Sequence, residues 1–80
     1  MHVTFYVQEN CALCEEAEMM MKLVAEDDEF IWEKVDIKSD DALHEKYMLM
    51  VPVIEYENRV LLYGNIGYVD LVLAIEEAKE

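Results

Sequence analysis

The stretch YVQENCALCEEAEMMMKLV, residues 6–24, holds both cysteines of the chain, three positions apart, at a point where the apolar period changes. Before it, Val3, Phe5 and Val7 alternate with Thr4 and Tyr6, the period of two expected of a strand, and Gln8-Glu9-Asn10 breaks that pattern. After it, from Ala12 to about Ala25, Leu13, Ala17, Met20, Met21 and Val24 recur at steps of three and four, with Glu15, Glu16, Glu18 and Lys22 mostly on the other side. This spacing predicts a helix with Asn10 as its N-cap and acids in its first turn, where they suit the helix dipole.

Working outward, Phe30 to Ile37 is rich in β-branched and aromatic residues and reads as a second strand. Ser39, Asp40 and Asp41 offer caps for a short helix reaching about Met48. Pro52 opens a third strand, Val53 to Tyr56, because proline is tolerated at the first residue of a strand but not in its middle. Glu57-Asn58 makes a tight turn into Val60-Leu61-Leu62, since Asn tolerates positive φ. A loop from Gly64 to Gly67 leads to a last helix, Tyr68 to Lys79. The order is βαβαββα, an α/β chain. A strand, helix and strand so connected form a right-handed parallel unit, and the hairpin adds two antiparallel strands. A four-stranded mixed sheet flanked by helices follows.

The chain has 80 residues, which suits one domain spanning residues 1–80; a fold of this size buries only about 60% of the surface its unfolded chain exposes. Hydrophobic residues make up 55%, with 2 Gly and 1 Pro, so the composition is that of a folded protein without linkers or repeats. The longest apolar run, Tyr47 to Ile54, is far shorter than the roughly 20 residues that span a bilayer. The N-terminal residues carry no basic start or apolar h-region, so a cytoplasmic location is expected. The formal net charge of −13, from 19 acidic and 6 basic side chains, repels nucleic-acid phosphates and anionic membranes. Neither is an expected partner. The same charge serves as a solubilising surface or steers the protein toward a basic partner.

Three uses of Cys11 and Cys14 are open. A structural staple across so short a loop removes little unfolded-state entropy. A zinc site needs two further ligands, and only His2 and His44 remain besides carboxylates, without the spacing of a second ligand pair. A redox pair needs an accessible thiolate at a helix start and a second thiol within reach. Cys11 at the first turn meets unsatisfied N–H groups and the positive dipole end, while Cys14 sits further in and is more shielded. On this reading Cys11 attacks and Cys14 resolves. A CxxC at a strand-to-helix junction within a βαβ pattern is a recognised thioredoxin-like signal.

The CALC motif after a short strand, the Val51-Pro52 pair opening the third strand and the βαβαββα order together resemble the glutaredoxin branch of the thioredoxin superfamily. The resemblance covers essentially the whole chain and is strongest to small bacterial glutaredoxin-like domains, which often carry a similar C-x-L-C-E-E start. It implies a thioredoxin-like fold, Cys11 as nucleophile, Cys14 as resolving thiol, and Pro52 as a cis proline facing the cysteines. The backbone of Val51 is then free to pair with an extended substrate. Gly64-Asn65 is a partial match to the paired glycines that border the glutathione groove, and Tyr6 fits the tyrosine five residues before the nucleophile.

The departures are specific. Gln8 stands where many glutaredoxins place a lysine for a glutathione carboxylate, Met50 replaces a threonine before Val-Pro, and Ala12 replaces the proline of the frequent CPYC form. Thioredoxin keeps a buried aspartate where this chain has Phe5. In sequence, Glu9, Glu15 and Glu16 surround Cys11 with no nearby Lys or Arg and oppose the dipole's effect. Met19, Met20, Met21, Met48 and Met50 read mostly as core fillers, with Met48 and Met50 as exceptions beside Pro52. Trp32 is expected to pack within the core or between sheet and helix. The expectation is a monomeric thiol-disulfide oxidoreductase acting on protein or small-molecule disulfides, with Val51, Pro52, Gly64 and Asn65 at the substrate. No metal or cofactor is expected beyond an external thiol or dithiol donor, with glutathione a poor one. The alternative is a non-catalytic redox-sensing or protein-interaction module with an acidic surface.

Overall fold

In a computed structural model describing residues 1–80, four strands form one mixed sheet in the order β2-β1-β3-β4. The elements are β1 (His2–Val7), α1 (Ala12–Asp28), β2 (Ile31–Asp36), a 3₁₀ turn (Ile37–Ser39), α2 (Asp41–Tyr47), β3 (Val53–Tyr56), β4 (Arg59–Tyr63) and α3 (Tyr68–Lys79). β1 and β2 are parallel, with Val7 opposite Asp36, while β3 lies antiparallel to both β1 and β4. The α/β class and the mixed sheet are as the sequence implied. No helix is long and apolar enough to cross a membrane.

The period of two in β1 divides the molecule. Val3 and Phe5 join Ile54 of β3 and the stripe Ala17, Met21 and Val24 of α1, with Leu71 and Ile75 of α3, in the larger core. Alternate residues face the other way, where Tyr6 and Val53 pack with Ile37 and Tyr47 in a smaller cluster beneath α2. Trp32 of β2 packs on the larger core and meets Phe5 edge-on, with ring centroids 5.7 Å apart, in keeping with its expected packing role.

Local chemistry explains the ends. Asp40 caps α2 by accepting hydrogen bonds from the N–H groups of Ala42 and Leu43 at 2.8 and 3.2 Å. Glu57 and Asn58 both have positive φ, 50° and 62°, as a two-residue turn that follows the strand twist requires. The first helix departs from the sequence reading in three ways. It runs on to Asp28, ending at Glu29 in the left-handed conformation. Its N-cap is Cys11 rather than Asn10, which itself adopts φ 55° in the loop before it. Its buried stripe is Cys14, Ala17, Met21 and Val24, so Leu13 is exposed and Met20 is only half-buried.

The methionine expectation is corrected accordingly. Only Met21 is fully buried; Met19 is 67% exposed and Met48 is also exposed. Met19, Met20 and Leu23 instead form, with Glu16 and Tyr68, an apolar groove of about 380 Å³ between α1 and α3.

Candidate active site at the start of α1

The carboxyl ends of parallel strands β1 and β2 lie side by side, the place where open α/β sheets usually present their ligand sites. From Val7 the chain turns through Gln8-Glu9-Asn10 and enters α1 at Cys11. There Cys11 and Cys14 form a disulfide, with Cα atoms 5.2 Å apart. The Cys11 Sγ also accepts a hydrogen bond from the Cys14 N–H at 3.1 Å, and the Cys11 carbonyl accepts from the Glu15 N–H at 3.1 Å. A sulfur therefore occupies the position that a Ser or Asp oxygen fills in most helix caps. When the pair is reduced, the same N–H and the dipole end favour a thiolate at Cys11.

The two sulfurs are unequally placed. Cys14 is 4% exposed and faces inward with Ala17, whereas Cys11 is half-buried. Both line a cleft of about 390 Å³ whose other walls are Val7, Gln8, Glu9, Asn10, Glu15, Glu18, Lys34 and Asp36.

This lining corrects the electrostatic expectation. Glu16 turns away to the apolar groove, and a cation is present after all: Lys34 of β2 lines the cleft. Its ammonium is held between both carboxylate oxygens of Glu18, at 3.2 and 3.3 Å, and Glu18 also approaches Lys22 at 3.7 Å. Lys34 and Asp36 are distant from Cys11 in sequence, yet the parallel pairing of β1 with β2 sets Asp36 opposite Val7, at the end of β1, and Lys34 opposite Phe5. The sequence signal for both is the βαβ unit, which places β2 parallel to β1.

The other candidate residues, Val51, Pro52, Gly64 and Asn65, are not in the lining of the cleft. The Val51-Pro52 peptide is cis. The pairing of Tyr6 with Val53, continued by one residue, sets Pro52 next to Val7. Gly64, at φ 76°, donates its N–H to the carbonyls of Met50 and Pro52 at 3.0 and 2.9 Å, tying the β4 end to the proline turn. Asn65 is exposed in the loop that follows. The Val51 N–H is not free: it donates to the Tyr47 carbonyl at 3.1 Å. An extended chain pairing with Val51 has to displace that bond or use the carbonyl alone.

The proline turn is anchored by a polar cluster that the sequence did not disclose. Thr4 pairs with Glu55 and Tyr6 with Val53, which makes Tyr6 and Glu55 diagonal neighbours on the face under α2. The Tyr47 hydroxyl donates to one Glu55 carboxylate oxygen at 2.6 Å, the Tyr6 hydroxyl approaches the other at 3.4 Å, and the two rings lie 5.0 Å apart. Burial, then the Glu55 hydrogen bond and charge, push the Tyr47 phenol far above its ordinary range; burial and the Glu55 charge raise Tyr6 as well.

A phenol raised in this way holds its proton more tightly in the folded state than in the unfolded chain, where it titrates near 10. Its contribution is fully present below pH 10 and is lost as pH rises above that. Unfolding free energy from urea titrations is therefore expected to be level in this respect up to about pH 10 and to fall beyond it. Tyr47→Phe is expected to cost about 1–2 kcal/mol at pH 8, the scale of a hydrogen bond to a carboxylate with partial water replacement, and to reduce the alkaline fall. A loss below about 0.3 kcal/mol would show that the bond does not hold the turn.

A family model described as "Glutaredoxin-like domain (DUF836)" matches residues 2–76. The chain belongs to this family. Among solved structures, the protein XcR50 from X. campestris is 25% identical, with a TM-score of 0.80 over 94% of this chain and 96% of that one. Thioredoxin 1 from Thermosipho africanus TCF52B is 14% identical, with a TM-score of 0.71 over 99% and 94% of the two chains. A malarial protein is 17% identical, with a TM-score of 0.67 over 95% and 93%. The last two show the fold alone. No curated protein matches the chain. Membership of the glutaredoxin-like family together with a close cysteine pair at CxxC spacing is consistent with redox function.

Proposed function

We propose that this glutaredoxin-like domain is a thiol-disulfide oxidoreductase in which Cys11 attacks and Cys14 resolves. The observation that carries the reading is the asymmetry of the pair: Cys11 caps α1 in the wall of an open cleft, and Cys14 lies buried one turn further in. In the reduced protein the Cys11 thiolate attacks one sulfur of a substrate disulfide, breaking its S–S bond. The departing thiolate takes up a proton, and the other half stays on Cys11 as a mixed disulfide. Cys14 then gives up its proton and attacks the Cys11 sulfur, releasing the second substrate thiol. The substrate gains two electrons, and the Cys11–Cys14 bond reforms. An external thiol or dithiol returns the electrons in the reverse sequence.

Reduction of insulin or hydroxyethyl disulfide with excess donor tests the reading. Many turnovers per protein support it; oxidation stopping at one equivalent favours a redox-sensing or interaction module. That second reading draws on the carboxylates around the pair, which oppose thiolate formation at Cys11, and on Lys34 being already engaged by Glu18.

The substrate proposed is a protein disulfide and the donor a protein dithiol, with the domain acting as a monomer in the cytoplasm. Glutathione is expected to serve poorly, because Gln8 in the cleft wall carries no charge to meet its carboxylate and the net charge of −13 repels an anionic peptide. An exposed ion pair is worth about 0–1 kcal/mol, so Gln8→Lys is expected to raise the glutathione rate by up to about fivefold. Added salt is expected to raise it as well. Efficient glutathione turnover at low salt would contradict this.

A further inference from the structure

The cleft over the disulfide carries a local charge that the overall composition does not specify. Its lining holds four carboxylates, from Glu9, Glu15, Glu18 and Asp36, against the single ammonium of Lys34. Lys34 is matched to Glu18. Glu9, Glu15 and Asp36 form no ion pair, although Asp36 does accept the Lys38 N–H at 2.9 Å. Any segment that brings a disulfide to Cys11 must lie against these three charges.

We propose that this cleft selects disulfides embedded in cationic segments, with lysine or arginine flanking the substrate cysteine. The proposal rests on the oxidoreductase reading and names its substrate class. Cys11 and the cleft fix where the substrate binds, and the unpaired carboxylates of Glu9, Glu15 and Asp36 set which flanking residues are favoured. Screening separates this local effect from the general acidity of the chain. At physiological ionic strength the Debye length is about 8 Å, so carboxylates in the cleft act on a bound segment while distant ones are largely hidden.

The molecule supplies its own control. The ammonium of Lys79, at the end of α3, is hydrogen-bonded to the carbonyl of Asp28, at the far end of α1 from Cys11. A helix of 17 residues is about 25 Å long, so exposed Glu76 and Glu77, three and two residues before Lys79, sit toward the far end of α1 from the disulfide.

The test uses the reduced full-length protein in single turnover, with disulfide-linked dimers of three short peptides of equal length. The cysteine of each is flanked by lysines, serines or glutamates. Each reaction converts one peptide dimer and the reduced pair into two peptide thiols and the Cys11–Cys14 disulfide, so no further reductant enters. At physiological salt the lysine peptide is expected to react about tenfold or more faster than the glutamate peptide, within the range of electrostatic steering. The ratio is expected to shrink below about threefold at 1 M salt, where the Debye length is 3 Å.

The double variant Glu9→Gln/Glu15→Gln is expected to cut the ratio at physiological salt at least about threefold. Glu76→Gln/Glu77→Gln, which removes the same charge, is expected to change it less than about twofold. Equal rates for the three peptides would overturn the proposed selectivity and leave the oxidoreductase reading standing. An equal effect of both double variants would assign the preference to net charge and also overturn it. Failure of every peptide to release thiol would remove the oxidoreductase reading, and this inference with it.

Discussion

Cys11→Ser is expected to abolish disulfide reduction, lowering kcat/KM by about 10³-fold or more while leaving the fold intact. The expectation follows from the chemistry of the attacking atom. A serine hydroxyl at this position keeps a cap oxygen for the Cys14 N–H, so α1 loses little. It cannot form the mixed disulfide through which exchange proceeds, and the other thiol in the cleft wall is the buried Cys14. Cys14 remains, but at 4% exposure its sulfur is far less accessible to substrate than that of Cys11. Steady-state reduction of an insulin-type substrate, alongside a urea titration, separates loss of chemistry from loss of structure. Residual activity within tenfold of the parent, with normal stability, would remove Cys11 from its role.

Phe5→Ala is expected to be the most damaging single change to the fold. Phe5 is fully buried in β1, whose neighbours are β2 on one side and β3 on the other, and it meets Trp32 edge-on. Truncating a buried phenylalanine costs about 3–5 kcal/mol, and the lost aromatic pair adds about 0.5–1.5 kcal/mol. A chain of 80 residues has a total stability of roughly 4–12 kcal/mol. The variant is therefore expected to lose a large part of its stability and to populate unfolded chains at 37 °C. Urea unfolding followed by far-UV circular dichroism measures this. A loss below about 1.5 kcal/mol would mean that the neighbours of Phe5 collapse into the space.

Sequence legibility followed the range of the interactions. β1 was readable because Val3 and Phe5 alternate with Thr4 and Tyr6 between the larger core and the smaller cluster on the other face, and the Glu57-Asn58 turn because so few residues adopt positive φ. The start of α1 was readable to within one residue. Asparagine usually takes the cap role, but here a sulfur occupies it and Asn10 uses its other aptitude, the left-handed backbone.

At the first turn of α1 the apolar pattern favours Leu13 for the inside, but packing places the smaller Cys14 side chain there and leaves Leu13 exposed. Features joining distant segments were not legible. Lys34 reaches the cleft only through the pairing of β1 with β2, and Glu55 meets Tyr47 only once α2 lies over the sheet. The CxxC motif marked the centre of the site, while its charge and the anchoring of the proline turn came from tertiary structure.

The order of attack, Cys11 first and Cys14 second, decides the mechanism. The measurement is the rate at which Cys14→Ser and Cys11→Ser, each carrying one thiol, form a mixed disulfide with the same peptide disulfide, followed by intact-mass spectrometry. Cys14→Ser is expected to go to completion as a stable one-to-one adduct on Cys11, at least about tenfold faster than Cys11→Ser forms an adduct on Cys14. Equal rates, or faster capture by Cys14, would contradict the assignment of Cys11 as nucleophile.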